Sequence, residues 1–166
     1  LDAMGRNHQT ATIQLDFQLP IRFDLSYKTE SGSMERPVMV HRAILGSVER
    51  SFAILLEHYK GKWPFWLSPR QAIVIPVNAT CMEYAQKVKQ LLWDNYFQVD
   101  VDDSGRTLNK MVREAQLAQY NYILVVGNKE VENNQVAIRS RSNEMVGVKT
   151  LEECVAMFKD LEEKHE

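Results

Sequence analysis

Two uninterrupted apolar stretches, 72-AIVIPV-77 and 122-YILVV-126, restrict the fold of this chain more than any other feature. A strand that lacks alternating polar positions is buried on both faces, and such strands occur in sheets that carry helices on both sides. Helical patterns follow each stretch along the chain. We therefore expect residues 69–166 to form an α/β domain with a mostly parallel or mixed sheet covered by helices.

Capping boxes predict where two of these helices begin. In a capping box, a Ser or Thr side chain caps the helix and a Glu three residues later returns to the backbone of the cap. Thr80 with Glu83 predicts a helix to about Trp93, and Thr150 with Glu153 predicts the last helix. The remaining predicted elements are strands over 97–102 and 135–141 and a helix after Gly105 with Leu108, Met111, Val112 and Ala115 on one face.

The first part of the chain follows a different pattern. Residues 10–17 and 22–27 alternate between apolar and polar positions, which predicts antiparallel strands with one buried face. The polar stretch 28–36 predicts an exposed hairpin loop, and 38–40 a short strand. Over residues 41–59 the apolar positions change to helical spacing, so we expect a helix there.

The stretch 62-KWPFWLSPRQ-71 joins the two patterns. Its prolines end regular structure, and its tryptophans favour an ordered joint over a flexible linker. We place the domain boundary here and expect one domain over 1–68 and another over 69–166.

Composition excludes several classes of protein. Hydrophobic residues make up 45% and charged residues 25% of the chain, which is typical of globular proteins. No apolar run reaches the roughly 20 residues of a membrane helix, so we expect no membrane partner. The first residues, 1-LDAMGRNHQT-10, do not resemble a signal peptide and lead directly into strand-like sequence without a turn or cap, so we expect a fragment. Cys81 and Cys154 lack a CxxC companion, which favours a reducing compartment such as the cytoplasm. The net charge is −2, yet six basic residues concentrate between residues 106 and 141.

The stretch 41-HRAILGSVER-50 contains the first candidate site residues. His41, at a junction between strand and helix, is suited to a metal, although a lone histidine is more often structural. Gly46 and Ser47 would let a ligand approach the backbone, and tight packing explains them equally well. Arg50 offers a planar charged fork to phosphate oxygens, and its alternative is a surface salt bridge with Glu49 or Glu57.

Taken together, these ten residues resemble motif 3 of class II aminoacyl-tRNA synthetases, in the form found in the threonyl-tRNA synthetase family. The resemblance continues through 5-GRNHQTATIQLDFQLPIRFDLSY-27, 62-KWPFWLSPRQ-71 and 117-LAQYNYILVVGNKE-130, and so covers almost the whole chain. The last two stretches look like the eukaryotic branch. The resemblance implies that 1–68 is the C-terminal part of the antiparallel catalytic fold and 69–166 is an anticodon-binding domain.

The resemblance also implies an active site for threonine activation. His41 matches one of three zinc ligands in the family, whose Zn²⁺ holds the amino group and hydroxyl of threonine and so rejects valine. Arg50 matches the motif 3 arginine, the expected catalytic residue, which binds ATP (a substrate with Mg²⁺) and balances charge as the adenylate forms. Four further residues match positions that line the ATP and threonine pockets: Gln9, Thr12, Gln14 and Ser47.

The expected partner of the second domain is threonine tRNA. The resemblance implies that Glu130 and Arg139 match residues that read anticodon bases in the family. A carboxylate and a guanidinium suit the donor-rich and acceptor-rich edges of unstacked bases. Arg113 and Asn109, on the predicted basic helix, are further candidates for contacts with bases or backbone. Ordinary solvated helix surface is an equal alternative for these two.

Motifs 1 and 2 and the other two zinc ligands of the family are absent from this chain. We therefore expect the isolated chain to be inactive, and the homodimer to belong to the full-length enzyme. The alternative function is a non-catalytic tRNA-binding or regulatory protein built on the anticodon-binding module. A flavodoxin-like binder would need a Gly-rich turn after the first strand of the sheet, and 76-PVNATC-81 has no glycine. The cytoplasmic form is expected, with the mitochondrial form as the alternative.

Overall fold

The structure is a computed structural model that describes all residues, 1–166. The chain forms two compact units, Leu1–Lys60 and Gly61–Glu166. The segment 61–68 belongs to the second unit by its contacts, since Phe65 is only 2% exposed among the core residues of that unit. The functional boundary between 68 and 69 stays a prediction.

The first unit contains two antiparallel strand pairs and two helices. Strand β1 pairs with β4, and β2 pairs with β3 in a small hairpin around the predicted exposed loop. The bounds are β1 Thr12–Asp16, α1 Gln18–Arg22, β2 Tyr27–Lys28, β3 Met34–Glu35, β4 Met39–Ala43 and α2 Val48–Tyr59.

Two predictions for this unit are wrong. The strand predicted over 22–27 does not form: Arg22 ends α1, a turn follows, and only Tyr27 belongs to a strand. The reason is that Asp16 Oδ1 accepts the backbone N–H groups of Gln18 and Leu19 and starts a helical turn. The helix predicted from residue 41 begins only at Val48. Gly46 has a φ of +69°, which interrupts a helix, and the Ser47 hydroxyl caps α2.

The second unit is built on a mixed five-stranded sheet in the order β6-β5-β7-β8-β9. Strands β6 and β7 run parallel to β5, whereas β8 and β9 are antiparallel to their neighbours. The bounds are β5 Ala72–Pro76, β6 Val99–Val101, β7 Tyr122–Val126, β8 Gln135–Ser140 and β9 Met145–Thr150. The predicted α/β fold with a mixed sheet is confirmed.

Four helices accompany this sheet: α3 Met82–Asp94, α4 Leu108–Leu117, α5 Asn128–Asn133 and α6 Leu151–Lys164. The capping box of Thr150 with Glu153 is confirmed at α6. The box of Thr80 with Glu83 is wrong, because Asn78 caps this start instead. Its Oδ1 accepts the N–H of Cys81 at 3.2 Å and the hydroxyl of Thr80 at 2.6 Å.

Helices cover both faces of the sheet, as the continuous apolar strands require. On one face α3 and α6 enclose an aromatic cluster in which Phe158 contacts Phe65, Phe97 and Tyr122 at centroid distances of 4.7, 5.4 and 5.5 Å. On the other face α4 buries Met111, Val112 and Ala115, as predicted, against Ile73, Ile75, Ile123 and Val125. Across all residues, no helix has both the length and the apolar character that crossing a bilayer needs.

Candidate functional site

His41 lies on β4, directly opposite Gln14 of β1. Residues opposite each other in an antiparallel pair project from the same face, so the two side chains are neighbours. His41 Nε2 lies 2.9 Å from Asp16 Oδ2, and 47% of the His41 side chain is exposed. The backbone N–H of Leu19 and the His41 ring lower the pKa of Asp16. An open, polar environment thus surrounds the imidazole.

The chain's own residues do not form a complete zinc site. No group of three or more His, Cys, Asp or Glu side chains that could hold a metal exists in the structure. Asp16 is the one carboxylate that contacts His41, and two groups fall short of the three protein ligands that an open zinc site uses. A Zn²⁺ held by His41 would need ligands from outside this chain.

A shallow depression of about 290 Å³ brings together Gln9, Thr12, Ser47 and Arg50. Arg50 lies in the first turn of α2, and its backbone N–H donates to Ser47 Oγ at 3.3 Å. Its guanidinium forms none of the ion pairs in the structure, so the suggested salt bridge with Glu49 or Glu57 is absent. The charged fork is therefore available to an anion.

Ser47 has a structural role in the same depression. Its hydroxyl caps α2 and donates to Glu49 Oε2 at 2.8 Å. The backbone N–H of Glu49 itself and the hydroxyl of Ser47 lower the pKa of Glu49. Contact with a ligand would compete with the cap.

The depression at Arg50 and the surroundings of His41 adjoin the same strand. Gln14, Asp16 and His41 line a second depression of about 600 Å³, and Thr12 lines the first. Thr12 and Gln14 are two residues apart on β1, so their side chains project from the same face. This geometry is compatible with one extended binding surface.

In the second unit, Arg139 lies on the face of the sheet that α4 covers. It pairs with Ile123 of β7, and Ile123 packs against α4. Arg139 Nη1 donates to Asn143 Oδ1 at 3.1 Å. Its Nε is buried without a partner in the protein. The guanidinium is thus held in place at one nitrogen.

Glu130 lies in the first turn of α5, immediately after β7. Its Oε2 accepts the backbone N–H of Gly127 at 2.9 Å, which stabilises the start of the helix. A Cβ at Gly127 would lie 3.0 Å from that oxygen. The glycine therefore leaves the space that the carboxylate occupies.

The four predicted anticodon residues do not converge on one point. Asn109 and Arg113 are exposed on α4. Arg139 pairs with Ile123, whereas Glu130 follows the end of β7 at Val126. At a rise of about 3.3 Å per residue, these positions are about 10 Å apart along the strand. The candidate interface is therefore extended, which suits several splayed bases better than a single base.

Sequence reasoning missed three residues that support these side chains: Asp16 at His41, Asn143 at Arg139 and Gly127 at Glu130. Asp16 is 25 residues from His41, and only the strand pairing brings them together. Asn143 carried a detectable signal, because asparagine is favoured in the left-handed conformation of tight turns. Its φ is +68°.

Residues 71–161, more than half of the chain, match the family described as anticodon binding domain. The chain belongs to this family. Residues 1–59 match a second family, the tRNA synthetase class II core domain (G, H, P, S and T). An anticodon binding domain with a piece of class II core is the organisation that the resemblance implied.

Threonine–tRNA ligases match this chain over both the class II core segment and the anticodon binding domain. The chain is 61% identical over 164 residues to cytoplasmic threonine–tRNA ligase 1 of Mus musculus, which covers 98% of this chain and 23% of the mouse protein. It is 59% identical over 159 residues to mitochondrial threonine–tRNA ligase 1 of Arabidopsis thaliana, covering 95% of this chain and 22% of that protein. The chain thus spans about a quarter of the length of these relatives.

The solved RNA binding domain of threonyl-tRNA synthetase from Cryptosporidium parvum Iowa II has the same fold. It superposes with a TM-score of 0.79 at 48% identity and covers 96% of this chain and 40% of that chain. The predicted relation to threonyl-tRNA synthetases is confirmed.

Proposed function

We propose that this chain is part of a threonine–tRNA ligase that uses ATP to activate threonine and transfers it to threonine tRNA. The observation that carries the proposal is the identity of about 60% to such ligases along almost the entire chain. In this proposal the first unit contributes motif 3 of the catalytic core, and the second unit reads the anticodon.

Arg50 is the proposed catalytic residue of this chain. In activation, a threonine carboxylate oxygen forms a bond to the α-phosphorus of ATP, and the bond to pyrophosphate breaks. A fixed guanidinium near the phosphates stabilises the negative charge of this transition state without a proton transfer. The absence of an ion pair to Arg50 supports this role, because its charge is not neutralised by the protein. ATP is expected to bind with Mg²⁺.

Gln9, Thr12, Gln14 and Ser47 are proposed to line the pocket for ATP and threonine, and His41 to supply one ligand of the zinc ion. When bound, Zn²⁺ would select threonine through its hydroxyl. This chain contributes an imidazole and the neighbouring Asp16 carboxylate to that environment. Asp16 is suited to fix the orientation of the ring, as carboxylates near metal-binding histidines do.

Arg139 and Glu130 are proposed to read bases of the anticodon, with Arg113 and Asn109 as neighbouring contacts. A guanidinium donates to the acceptors on a base edge, and a carboxylate accepts from exocyclic amino groups. The spacing between Arg139 and Glu130 supports contacts with two different bases. The homodimer is proposed for the full-length enzyme from the family resemblance, and the cytoplasmic location from the cytoplasmic ligases among the relatives.

The proposal is tested by separating the two steps of the reaction in the full-length ligase. Arg50→Ala should abolish threonine-dependent pyrophosphate exchange. Arg139→Ala should leave exchange nearly intact and lower charging of threonine tRNA at least tenfold, as expected for loss of a charged hydrogen bond. Lys110→Ala, an exposed cation on α4, is the matched control and should change charging less than twofold.

Equal loss of exchange and charging in Arg139→Ala would contradict anticodon reading. The isolated 166-residue chain should show no pyrophosphate exchange and should still bind the anticodon stem-loop. Binding without any activity in the full-length protein would instead indicate the non-catalytic, regulatory function.

A further inference from the structure

The turn between β8 and β9 is internally bonded and places an asparagine beside Arg139. Ser140 N–H donates to the Glu144 carbonyl at 2.9 Å, and Asn143 N–H donates to the Ser140 carbonyl at 2.8 Å. The Glu144 N–H also donates to Ser140 Oγ at 3.2 Å. Asn143 adopts the left-handed conformation with a φ of +68°. The backbone of the turn thus fixes where the Asn143 side chain begins.

The Asn143 amide oxygen accepts a hydrogen bond from Arg139 Nη1 at 3.1 Å. Arg139 is half-buried, and its Nε is buried. One N–H of Nη1 is therefore engaged by the turn, and the N–H groups of Nη2 remain as donors for a ligand. The acceptor is an uncharged amide, so the guanidinium keeps its full positive charge.

We propose that Asn143 is a positioning residue that orients the Arg139 guanidinium toward an unstacked base of the anticodon. This inference rests on the proposed anticodon reading by Arg139. A long arginine side chain loses conformational freedom when it binds, and a hydrogen bond that exists before binding reduces that loss. An aspartate at the same position would also orient the fork, but its charge would oppose RNA binding.

The 166-residue chain and a synthetic anticodon stem-loop of threonine tRNA provide the test. Fluorescence anisotropy measures the Kd for this RNA and for a stem-loop with one anticodon base changed. Asn143→Gly keeps the left-handed turn and removes the amide, because glycine adopts positive φ freely. It should weaken binding of the cognate RNA about three- to tenfold, as loss of one hydrogen bond does, and reduce discrimination between the two RNAs.

A double-mutant cycle separates positioning from a structural effect. In an Arg139→Ala background, Asn143→Gly should have less than about a twofold further effect, since coupled residues are not additive. Ser142→Ala in the same turn is the matched control and should leave the Kd unchanged. Asn143→Asp should lower affinity for both RNAs alike and retain discrimination. If Asn143→Gly lowers the melting temperature, Asn143→Asp becomes the variant that distinguishes positioning of Arg139 from a loss of turn structure.

Each remaining outcome counts against a specific claim. If Arg139→Ala leaves the Kd unchanged, anticodon reading by Arg139 fails, and the inference fails with it. If Arg139→Ala weakens binding but Asn143→Gly does not, or if the two losses add, anticodon reading stands and the positioning role of Asn143 is wrong.

Discussion

The two units of this chain differ most in what they bury. Apart from Pro20, every buried apolar residue of the chain lies in the second unit, which has two core clusters on either side of the sheet. In the first unit, the row of neighbours Ile13, Leu15 and Val40 on β1 and β4 is 69%, 62% and 61% exposed. Helix α2 buries no residue, although it is amphipathic.

This difference shows that the two units depend on different surroundings. A sheet that carries helices on both faces encloses its own core, so the second unit can be stable without a partner. A two-stranded pair with one apolar face is marginal in water until another layer covers that face. We infer that the first unit needs further surface of a class II catalytic core, whereas the anticodon binding domain does not.

Phe158→Ala should have the largest effect on the second unit. Phe158 is fully buried between three aromatic rings, and loss of such a side chain costs about 3–5 kcal/mol of unfolding free energy. All three tryptophans, at 63, 66 and 93, lie in this unit, so urea unfolding followed by tryptophan fluorescence reports on it alone. Ile13→Ala, on the exposed face of β1, is the control and should change the midpoint little. Similar shifts of the urea midpoint for Phe158→Ala and Ile13→Ala would contradict the claim that only the second unit has its own buried core.

Gly127→Ala should have the next largest effect. The added Cβ would meet the Glu130 carboxylate at 3.0 Å and Val77 Cγ2 at 3.4 Å. Overpacking of this kind costs about 1–3 kcal/mol. The same urea titration measures the loss, and binding of the anticodon stem-loop should weaken as Glu130 moves. Unchanged stability together with unchanged binding would show that the carboxylate relaxes without consequence.

The two Ser/Thr helix caps provide a smaller and matched comparison. Thr150 caps α6, which packs in the core, and Ser47 caps α2, which buries nothing. Thr150→Ala should lower the unfolding free energy of the second unit by about 1 kcal/mol. Ser47→Ala should leave the tryptophan transition unchanged and reduce only the helical signal in far-ultraviolet circular dichroism. A shift of the tryptophan transition by Ser47→Ala would mean that the units unfold together.

The smallest expected effect is the pH dependence of the first unit. Hydrogen bonds from Leu19 and His41 lower the pKa of Asp16 in the folded state. Because the pKa of Asp16 is lower in the folded state than in the unfolded state, the ionised carboxylate stabilises the fold at pH values above the unfolded pKa of about 3.9. This stabilisation is lost as the pH falls through the folded pKa. Amide exchange in β1 should therefore accelerate on acidification below about pH 4, beyond its intrinsic pH dependence. In Asp16→Asn this additional acceleration should disappear. If it persists, a titratable group other than Asp16 causes it.

The parts of the fold that depend on sequence pattern were predicted well. The apolar runs of β5 and β7, the buried face of α4 and the Thr150 cap are local or periodic features, and each is confirmed. Helix α5 and strand β9 were missed because they are short or exposed. The strand expected over 22–27 is wrong because the Asp16 side chain starts a helical turn, which outweighs the alternating pattern. The helix expected from residue 41 starts later because Gly46 has a positive φ and Ser47 caps α2.

The candidate site was less accessible from sequence. The family resemblance supplied His41, Arg50, Glu130 and Arg139, and their roles stay predictions. Their supporting contacts depend on geometry that a linear pattern does not contain. Asp16 reaches His41 only through the register of β1 and β4. Asn143 reaches Arg139 only because a turn with positive φ folds it back.

Hydrogen exchange of the 166-residue chain, with and without the anticodon stem-loop, tests the contrast between the units most directly. We predict that amides of β5 and β7 exchange only on global unfolding and that those of β1 and β4 exchange orders of magnitude faster. The RNA should add protection in the second unit, around the turn at Asn143. Equal protection of both strand sets, or RNA-dependent protection confined to the first unit, would contradict the account.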